Sequence, residues 1–313
     1  MKAVNPLTAS LIMDKAAQSS YGAFKGMRRG AVDPWVFTST STEGNPRSTA
    51  NTTPNARRVA IKQAFYRHTG SDIRRTQDVQ KQIELLSVEI ICSQWAAALL
   101  EMVYGYIRNI GNGRRLEKAP FRIPSFRFVQ VALAITHAQE NSETEQEAFL
   151  LEEYIDPDVD GHWRKYVNND SAVPLSLALK DDRERGEFLA FCQHVQYWMT
   201  SGLVFVSDFQ GGNSLLSDPQ IITNPDLGPL FGQGNVVNTH HRFEAEHRCN
   251  KFCKYFDIPT EYKTVDDEEM QLMQETPLFQ DYPSGSMSIE HEHGSVSSTS
   301  SARWFIHCLS SYL

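Results

Sequence analysis

The most informative part of the chain begins with the run Gly202-Leu203-Val204-Phe205-Val206-Ser207-Asp208-Phe209-Gln210-Gly211-Gly212. Its apolar first half is typical of a short buried strand, which ends on the Asp208 carboxylate. A second carboxylate, Asp218, follows in Ser217-Asp218-Pro219. Two carboxylates and the Gln210 amide oxygen are hard oxygen ligands of the kind that Mg²⁺ prefers. The run therefore predicts a magnesium site, with a turn-capping aspartate as the alternative for Asp208.

Soft metal ligands follow in the motif His247-x-Cys249-Asn250-x-x-Cys253. Imidazole and thiolate groups are typical zinc ligands. A helix over residues 244–256 would place Cys249 and Cys253 on one face. Spacing alone leaves the fourth ligand open among Cys192, His194, His240 and His241. The alternative is a core helix with buried cysteines that bind no metal.

The composition is that of a globular protein. The chain has 313 residues, 41% of them hydrophobic, which is enough for one large core or two lobes. A formal charge of −8 argues against a nucleic-acid or anionic-membrane surface. The five cysteines are odd in number and scattered, which favours a reducing compartment. Since the amino terminus matches a signal peptide poorly, we expect a cytoplasmic protein.

The longest apolar stretch covers residues 88–107. The uncharged run between Glu89 and Glu101 is far shorter than the ~20 residues that a bilayer requires. Apolar residues at helical spacing instead predict the main helix of an amino-terminal lobe.

A single lysine, Lys62, lies among apolar residues in Val59-Ala60-Ile61 and Ala64-Phe65-Tyr66. The pattern predicts a strand with buried neighbours, so the ammonium group of Lys62 needs an anion. The alternative is a surface lysine on an edge strand.

Taken together, these segments resemble the alpha-kinase family, the atypical protein kinases that include myosin heavy-chain kinases and elongation-factor-2 kinase. The resemblance covers roughly residues 20 to 260. Besides the segments above, it rests on Gly22-Ala23-Phe24-Lys25, Leu151-Glu152-Glu153-Tyr154-Ile155, Lys165-Tyr166-Val167-Asn168-Asn169 and Phe231-Gly232-Gln233-Gly234-Asn235. It implies an α+β, two-lobed protein-kinase-like fold with a zinc-stabilised carboxyl-terminal lobe.

The resemblance also implies roles for individual residues. Asp208 would position and deprotonate the acceptor hydroxyl, and Lys62 would contact the phosphates of ATP. Glu152 corresponds to a hinge residue that faces the adenine. Gln210 and Asp218 resemble the family's magnesium ligands.

Two further elements resemble the family with departures. Lys165 and Asn169 match an element near the phosphates, although Val167 and Asp170 replace asparagines. Gly232 and Gly234 match a glycine loop that would hold either ATP or the peptide substrate, but Val237 stands where a third glycine is common. A plain turn is the alternative for this loop.

The family pattern selects His194 as the fourth zinc ligand. The resulting site, with two histidines and two cysteines, is closed and structural. Its ligands would be His194, His247, Cys249 and Cys253.

The predicted domain organisation follows from the lobes and from polar segments. Residues 1–150 form an amino-terminal nucleotide-binding lobe, with a disordered insertion near residues 38–58, which are almost devoid of apolar side chains. Residues 151–263 form the carboxyl-terminal catalytic lobe with the zinc site. Residues 264–313 form an acidic and Ser-rich tail that is mostly disordered.

The sequence thus predicts a Mg²⁺-dependent protein serine/threonine kinase with a structural Zn²⁺. It would transfer the ATP γ-phosphate to Ser or, by family preference, Thr of a protein substrate, with neither nucleic acid nor membrane as a partner. The groups around Asp208 and the ammonium of Lys62 would serve one nucleotide. The alternatives are a pseudokinase and a zinc-stabilised binding module without turnover, motivated by Val237 and Val167.

Overall fold

The structure is a computed structural model that describes residues 7–14, 20–21, 25–37, 57–67, 73–113, 119–136, 146–228, 230–231, 236–262, 265, 268–271 and 303–309. The strands among these residues are β1 (Leu7–Met13), β2 (Ser20–Tyr21), β3 (Lys25–Asp33), β4 (Arg57–Arg67), β5 (Arg74–Thr76), β6 (Arg127–Phe128), β7 (Val131–Thr136), β8 (Ala148–Glu153), β9 (Arg164–Lys165), β10 (Val204–Ser207), β11 (Gln210–Gly211), β12 (Leu215–Ser217), β13 (Gln220–Thr223) and β14 (Arg303–Leu309). The helices are α1 (Val79–Gly113), α2 (Pro157–Asp160), α3 (Lys180–Met199), α4 (Val237–Glu246) and α5 (Lys251–Tyr255).

The chain divides into two compact units. The first comprises Met1–Ile90, Val129–Tyr154 and Glu290–Leu313, and the second comprises Ile91–Phe128 and Ile155–Ile289. This division differs from the predicted boundaries, because residues 91–128 lie with the second unit and the carboxyl terminus lies with the first. Aromatic contacts explain the first difference. Phe121 packs edge-on against Phe252 with ring centroids 4.7 Å apart, a long-range contact that periodicity does not reveal.

Six strands of the first unit form a closed antiparallel ring. The strands pair in the order β3-β1-β14-β7-β8-β4, and pairing between β3 and β4 closes the ring. Buried apolar side chains from five of these strands form one core cluster, which includes Leu11, Val32, Val59, Ala132 and Leu151. Because side chains alternate along a strand, the core positions Val59 and Ile61 leave Ala60 and Lys62 on the opposite face of β4.

Two segments predicted to be mostly disordered contain strand residues. Of residues 38–58, only Arg57 and Arg58 are described, and they begin β4; residues 38–56 lie outside the described residues. In the tail, β14 pairs with β1 from Leu7↔Cys308 to Ile12↔Arg303 and with β7 from Thr136↔Ile306 to Leu133↔Leu309. Tail residues 272–302 lie outside the described residues. The carboxyl-terminal strand is therefore part of the ring in the first unit.

Removal of β14 is expected to destabilise the first unit. A chain that ends at residue 302 loses six paired positions with β1 and four with β7. Since a backbone hydrogen bond contributes a net ~0.5–1.5 kcal/mol and antiparallel pairing gives about one bond per paired position, the free energy of unfolding should fall by at least about 5 kcal/mol. Denaturant unfolding measures this loss, with a chain that ends at Leu309 as the control. Equal stabilities of the two chains would contradict the structural role of β14.

The second unit is organised around the buried helix α3. Phe188 and Phe191 on α3 are fully buried. Phe188 packs edge-on against Phe252 of α5, and Phe191 stacks on Phe256. Two small sheets flank this core: β10 pairs with β13, and β6, β12, β11 and β9 pair in that order. Lys165 and Gln210 lie in the four-stranded sheet, and Asp208 follows β10 directly.

The predicted apolar helix is present and is longer than expected, since α1 runs from Val79 to Gly113. By length and composition alone, residues 79–110 could cross a membrane. In their most apolar 18-residue segment, 33% is buried in the structure. Core helices of soluble proteins satisfy the same criterion. The expectation that this helix spans no membrane stays a prediction.

Candidate active site

The predicted strand that delivers Asp208 is present as β10. Phe205 and Val206 are fully buried, and Asp208 follows the strand with only 7% of its surface exposed. Its backbone is left-handed, with φ of 57°. Non-glycine residues seldom adopt this conformation, and it is often found at functional sites. Asp208 is therefore a buried carboxylate held in a strained position.

Side chains from the neighbouring strands hold both oxygens of Asp208. The Lys165 Nζ lies 2.6 Å from Asp208 Oδ1, and Gln210 Nε2 donates to Asp208 Oδ2 at 3.0 Å. Strand pairing brings these residues together, because Lys165 of β9 is the partner of Gln210 in β11. Both oxygens of Asp208 thus have side-chain partners, and its catalytic role stays a prediction.

The second predicted carboxylate lies at the end of the same hairpin. Gln210 pairs with Ser217 across β11 and β12, and Asp218 follows Ser217 directly. Gln210 Nε2 also donates to the Asp218 carbonyl oxygen at 3.3 Å. Asp218 has a left-handed backbone as well, with φ of 55°. The structure thus places the side chains of Asp208, Gln210 and Lys165 in contact, with the main chain of Asp218 beside Gln210.

Asn169 and the glycine loop are less fully described. The main chain at Asn169 is tied to α4, because Thr239 Oγ1 donates to its carbonyl oxygen at 3.2 Å. Gly232 and Gly234 lie outside the described residues. Val237, which replaces the family's third glycine, is the first residue of α4 and is 45% exposed.

The first unit holds the other predicted phosphate ligand, Lys62, in a buried ion pair. Its Nζ lies 2.7 Å from Glu152 Oε1, and the two residues are 8% and 4% exposed. Strand β4 is flanked by β3 and β8. The alternative of a surface lysine on an edge strand is therefore wrong.

The pairing of Lys62 with Glu152 is not visible in the sequence. Ala60 is opposite Glu152 and Lys62 is opposite Leu150 in the β4–β8 register, which makes Lys62 and Glu152 diagonal neighbours on one face. Sequence reasoning assigned Glu152 only to the adenine. Its described contact gives it the further task of holding the Lys62 ammonium group.

Replacement of Lys62 by methionine is expected to lower the free energy of unfolding of the first unit by about 3–5 kcal/mol, because Glu152 loses its cation while it stays buried. The double variant Lys62→Met/Glu152→Gln should regain most of this stability. Denaturant unfolding of the variants measures both effects.

Lys81→Met is the control, since the Lys81 and Glu84 side chains are 32% and 48% exposed. It should cost less than about 1 kcal/mol. Equal costs for Lys62→Met and Lys81→Met would contradict the buried-pair account.

Four predicted zinc ligands meet in the second unit. The ligand atoms of His194, His247, Cys249 and Cys253 lie within 4.8 Å of one another. Cys249 Sγ is 3.7 Å from His194 Nδ1, and Cys253 Sγ is 3.8 Å from His247 Nε2. Tetrahedral zinc, with bonds of about 2.0–2.3 Å, places its ligand atoms roughly 3.3–3.8 Å apart. The donor set and these two sulfur–nitrogen distances fit a zinc ion.

The local backbone at this cluster differs from the predicted helix over residues 244–256. Helix α4 ends at Glu246, and α5 begins at Lys251. Asn250 interrupts the helix, because its Oδ1 accepts hydrogen bonds from the backbone N–H groups of Phe252 and Cys253. This is a helix N-cap. The prediction that Cys249 and Cys253 share one helix face is therefore wrong, and Cys249 lies in the turn between the two helices.

The two histidines of the cluster are neutral, as metal binding requires, and one of them is oriented by a hydrogen bond. His194 Nε2 lies 3.1 Å from the Pro259 carbonyl oxygen, which orients Nδ1 towards Cys249. Burial lowers the pKa of His194 to about 4 and that of His247 to about 3, so both imidazoles stay neutral. Burial also raises the pKa of the Cys253 thiol to about 12. A cation in the cluster would favour the thiolate form.

Comparisons with known proteins identify the family. The model of the "Alpha-kinase family" matches residues 51–253, which is more than half of the chain. Myosin heavy chain kinase C of Dictyostelium discoideum is 30% identical over 104 residues, which are 33% of this chain and 12% of that protein. Eukaryotic elongation factor 2 kinase of Mus musculus is 32% identical over 136 residues, which are 43% of this chain and 17% of that protein. The matched segments thus span less than a fifth of these relatives.

Solved structures similar to this chain include the apoenzyme alpha-kinase domain of myosin-II heavy chain kinase A. The TM-score is 0.48 and the identity 15%, over 83% of this chain and 99% of that chain. The same domain in complex with ADP has a TM-score of 0.46 and an identity of 16%, over 83% and 100% of the two chains. The family match confirms the predicted resemblance and the α+β kinase-like fold. The chain belongs to the alpha-kinase family.

Proposed function

We propose that this chain is an atypical protein kinase that transfers the γ-phosphate of ATP to a serine or threonine hydroxyl of a protein substrate. The observation that carries the proposal is the arrangement of Lys165 and Gln210 on paired strands, with Asp208 in contact with both and Asp218 at the end of the adjoining strand. Phosphoryl transfer needs positioning and charge neutralisation more than covalent chemistry, and these side chains supply both.

The residues would divide the reaction between them. The acceptor oxygen forms a bond to the γ-phosphorus while the bond from that phosphorus to the bridging oxygen of ADP breaks. Asp208 accepts the hydroxyl proton, and Lys165 beside it keeps the carboxylate oriented. Lys62 contacts the phosphates, and Glu152 fixes the position of its ammonium group. The oxygen ligands Gln210 and Asp218 would hold Mg²⁺, which neutralises phosphate charge when it is bound.

The four-residue cluster would hold a structural Zn²⁺. His194 lies on α3, whereas His247, Cys249 and Cys253 lie at the end of α4 and on α5. Four protein ligands leave no position for substrate, so the ion would link helices and take no part in phosphate transfer. The role resembles that of zinc in small metal-stabilised domains.

Protein substrates, a preference for threonine and a cytoplasmic location remain part of the proposal. Cys92, Cys192, Cys249 and Cys253 form no disulfide, in keeping with a reducing compartment. A phosphoamino-acid analysis of a protein acceptor labelled by the chain tests the specificity. Phosphothreonine with minor phosphoserine is expected, and exclusive phosphotyrosine would contradict the proposal.

Nucleotide binding separates this proposal from a zinc-stabilised binding module. Mg²⁺ and ATP together should raise the melting temperature of the full chain, because a ligand that binds the folded state stabilises it by mass action. A binding module unrelated to ATP would show no shift. A shift without phosphate transfer would identify the pseudokinase.

A further inference from the structure

One buried carboxylate outside the predicted site, Asp160, contacts the hairpin of the candidate active site. It is the last residue of α2 and is 7% exposed. Its Oδ1 accepts from the Ser214 backbone N–H at 3.0 Å and from Ser214 Oγ at 2.5 Å. Its Oδ2 accepts from the Leu215 N–H at 2.9 Å. Burial of a carboxylate costs desolvation free energy. These donors offset that cost only while the hairpin holds them within hydrogen-bond distance of Asp160.

The loop that receives Asp160 joins the two strands that carry the metal ligands. Residues 212–214 connect β11, which begins at Gln210, to β12, which ends one residue before Asp218. The Asp160 carbonyl oxygen also accepts from the Asn213 N–H at 2.6 Å. Both the main chain and the side chain of Asp160 therefore bind this loop.

The close approach of α2 to the loop depends on a glycine. A Cβ atom at Gly212 would lie 2.1 Å from Asp160 Oδ2 and 2.7 Å from the Asp160 carbonyl oxygen. On the other side of the loop, the Tyr166 hydroxyl donates to the Gly212 carbonyl oxygen at 2.6 Å. The loop is thus held on two sides, and its position has little freedom.

We propose that Asp160 is a positioning residue, which through the 212–215 loop sets the relative placement of Gln210 and Asp218 and thereby the affinity of the site for a divalent cation. The geometry stands on the contacts above, whereas the consequence for catalysis rests on the proposed kinase function. Asp160 touches neither substrate nor metal in this account. Its carboxylate acts by holding backbone N–H groups, as outer residues that orient metal ligands commonly do.

The test uses the isosteric variant Asp160→Asn in the full chain. Both oxygens of Asp160 accept hydrogen bonds from N–H donors. The NH₂ group of asparagine cannot accept, so the variant loses at least one of these bonds and places two donors against each other. The control is Asp158→Asn, since Asp158 lies in the same short helix and is exposed. Ser214→Ala is a milder variant, because it removes only the hydroxyl donor.

Two readouts do not require kinase activity. Mn²⁺, added alone, is titrated into each protein and followed by electron paramagnetic resonance, and amide hydrogen exchange is measured at Ser214 and Leu215. Asp160→Asn should weaken Mn²⁺ binding about 10–100-fold, the usual effect of removing a residue that orients metal ligands. Exchange at the two amides should accelerate, Ser214→Ala should shift both readouts less and in the same direction, and Asp158→Asn should match the wild type.

A third readout connects the geometry with catalysis. In a phosphate-transfer assay, Asp160→Asn should need more Mg²⁺ than the wild type to reach its half-maximal rate. Its activity should recover at saturating Mg²⁺. Activity lost through a general structural defect would not recover when Mg²⁺ is added. Unchanged Mn²⁺ affinity in Asp160→Asn overturns the proposal. If that variant does not fold, unchanged affinity in Ser214→Ala overturns it. A wild-type chain that binds Mn²⁺ but transfers no phosphate would instead overturn the proposed function.

Discussion

Substitution of Asp208 by asparagine is expected to lower the rate of phosphate transfer by about 10²–10⁴-fold, the usual contribution of a general base. Asparagine has nearly the same shape and tolerates a left-handed backbone, so the fold should survive. The amide cannot accept the hydroxyl proton, and it loses the charge that pairs with Lys165. The rate is measured with a protein acceptor at saturating Mg²⁺ and ATP.

Asp257→Asn is the matched control for this variant. Asp257 has almost the same backbone conformation, with φ of 55°, and lies in the same unit, but it is exposed and outside the strands that carry the catalytic candidates. It should retain the wild-type rate. If both variants were fully active, the catalytic assignment of Asp208 would be wrong.

Loss of the zinc ion that we propose for the histidine–cysteine cluster is expected to destabilise the second unit strongly. Cys253→Ser removes a buried ligand, and binding of a structural zinc ion by a small domain contributes about 10–16 kcal/mol of apparent free energy at neutral pH. The three remaining ligands and the aromatic core should retain part of this stabilisation. The free energy of unfolding is therefore expected to fall by more than about 3 kcal/mol, in line with the loss of a metal site. Zinc content and denaturant unfolding of the variant are the measurements.

The control for the metal prediction is Cys92→Ser. Cys92 is a buried cysteine of α1 outside the four-residue cluster. It should keep one zinc per chain and lose little stability. A wild-type chain that is purified without zinc, and is no more stable than Cys253→Ser, would favour the alternative of buried cysteines without a metal.

The strand before Asp208 and three residues of the histidine–cysteine cluster could be predicted from sequence for physical reasons. The apolar run 204–206 has few alternatives to a buried strand, and it sets the place of the carboxylate that follows. The choice of His194 came from the family resemblance, since spacing alone left three other residues open. The structure places His194 beside His247, Cys249 and Cys253.

The contacts that sequence reasoning missed depend on register or on local competition between hydrogen bonds. The Lys62–Glu152 pair arises from strand pairing between residues 90 positions apart in the chain. The break between α4 and α5 arises because the Asn250 side chain competes for backbone donors. Asp160 occurs in a Pro- and Asp-rich turn, and its sequence alone looks like that of an ordinary exposed turn.

Kinase activity is tested most directly by a comparison of ATP labelled with ³²P at the γ-position with ATP labelled at the α-position. The full chain is incubated with each nucleotide, Mg²⁺ and a protein acceptor, and acid-stable label on protein is counted. Label should be incorporated from the γ-labelled nucleotide, lost in Asp208→Asn, and absent with the α-labelled nucleotide. Absence of γ-label on protein at every Mg²⁺ concentration would contradict the claim that this chain is a kinase.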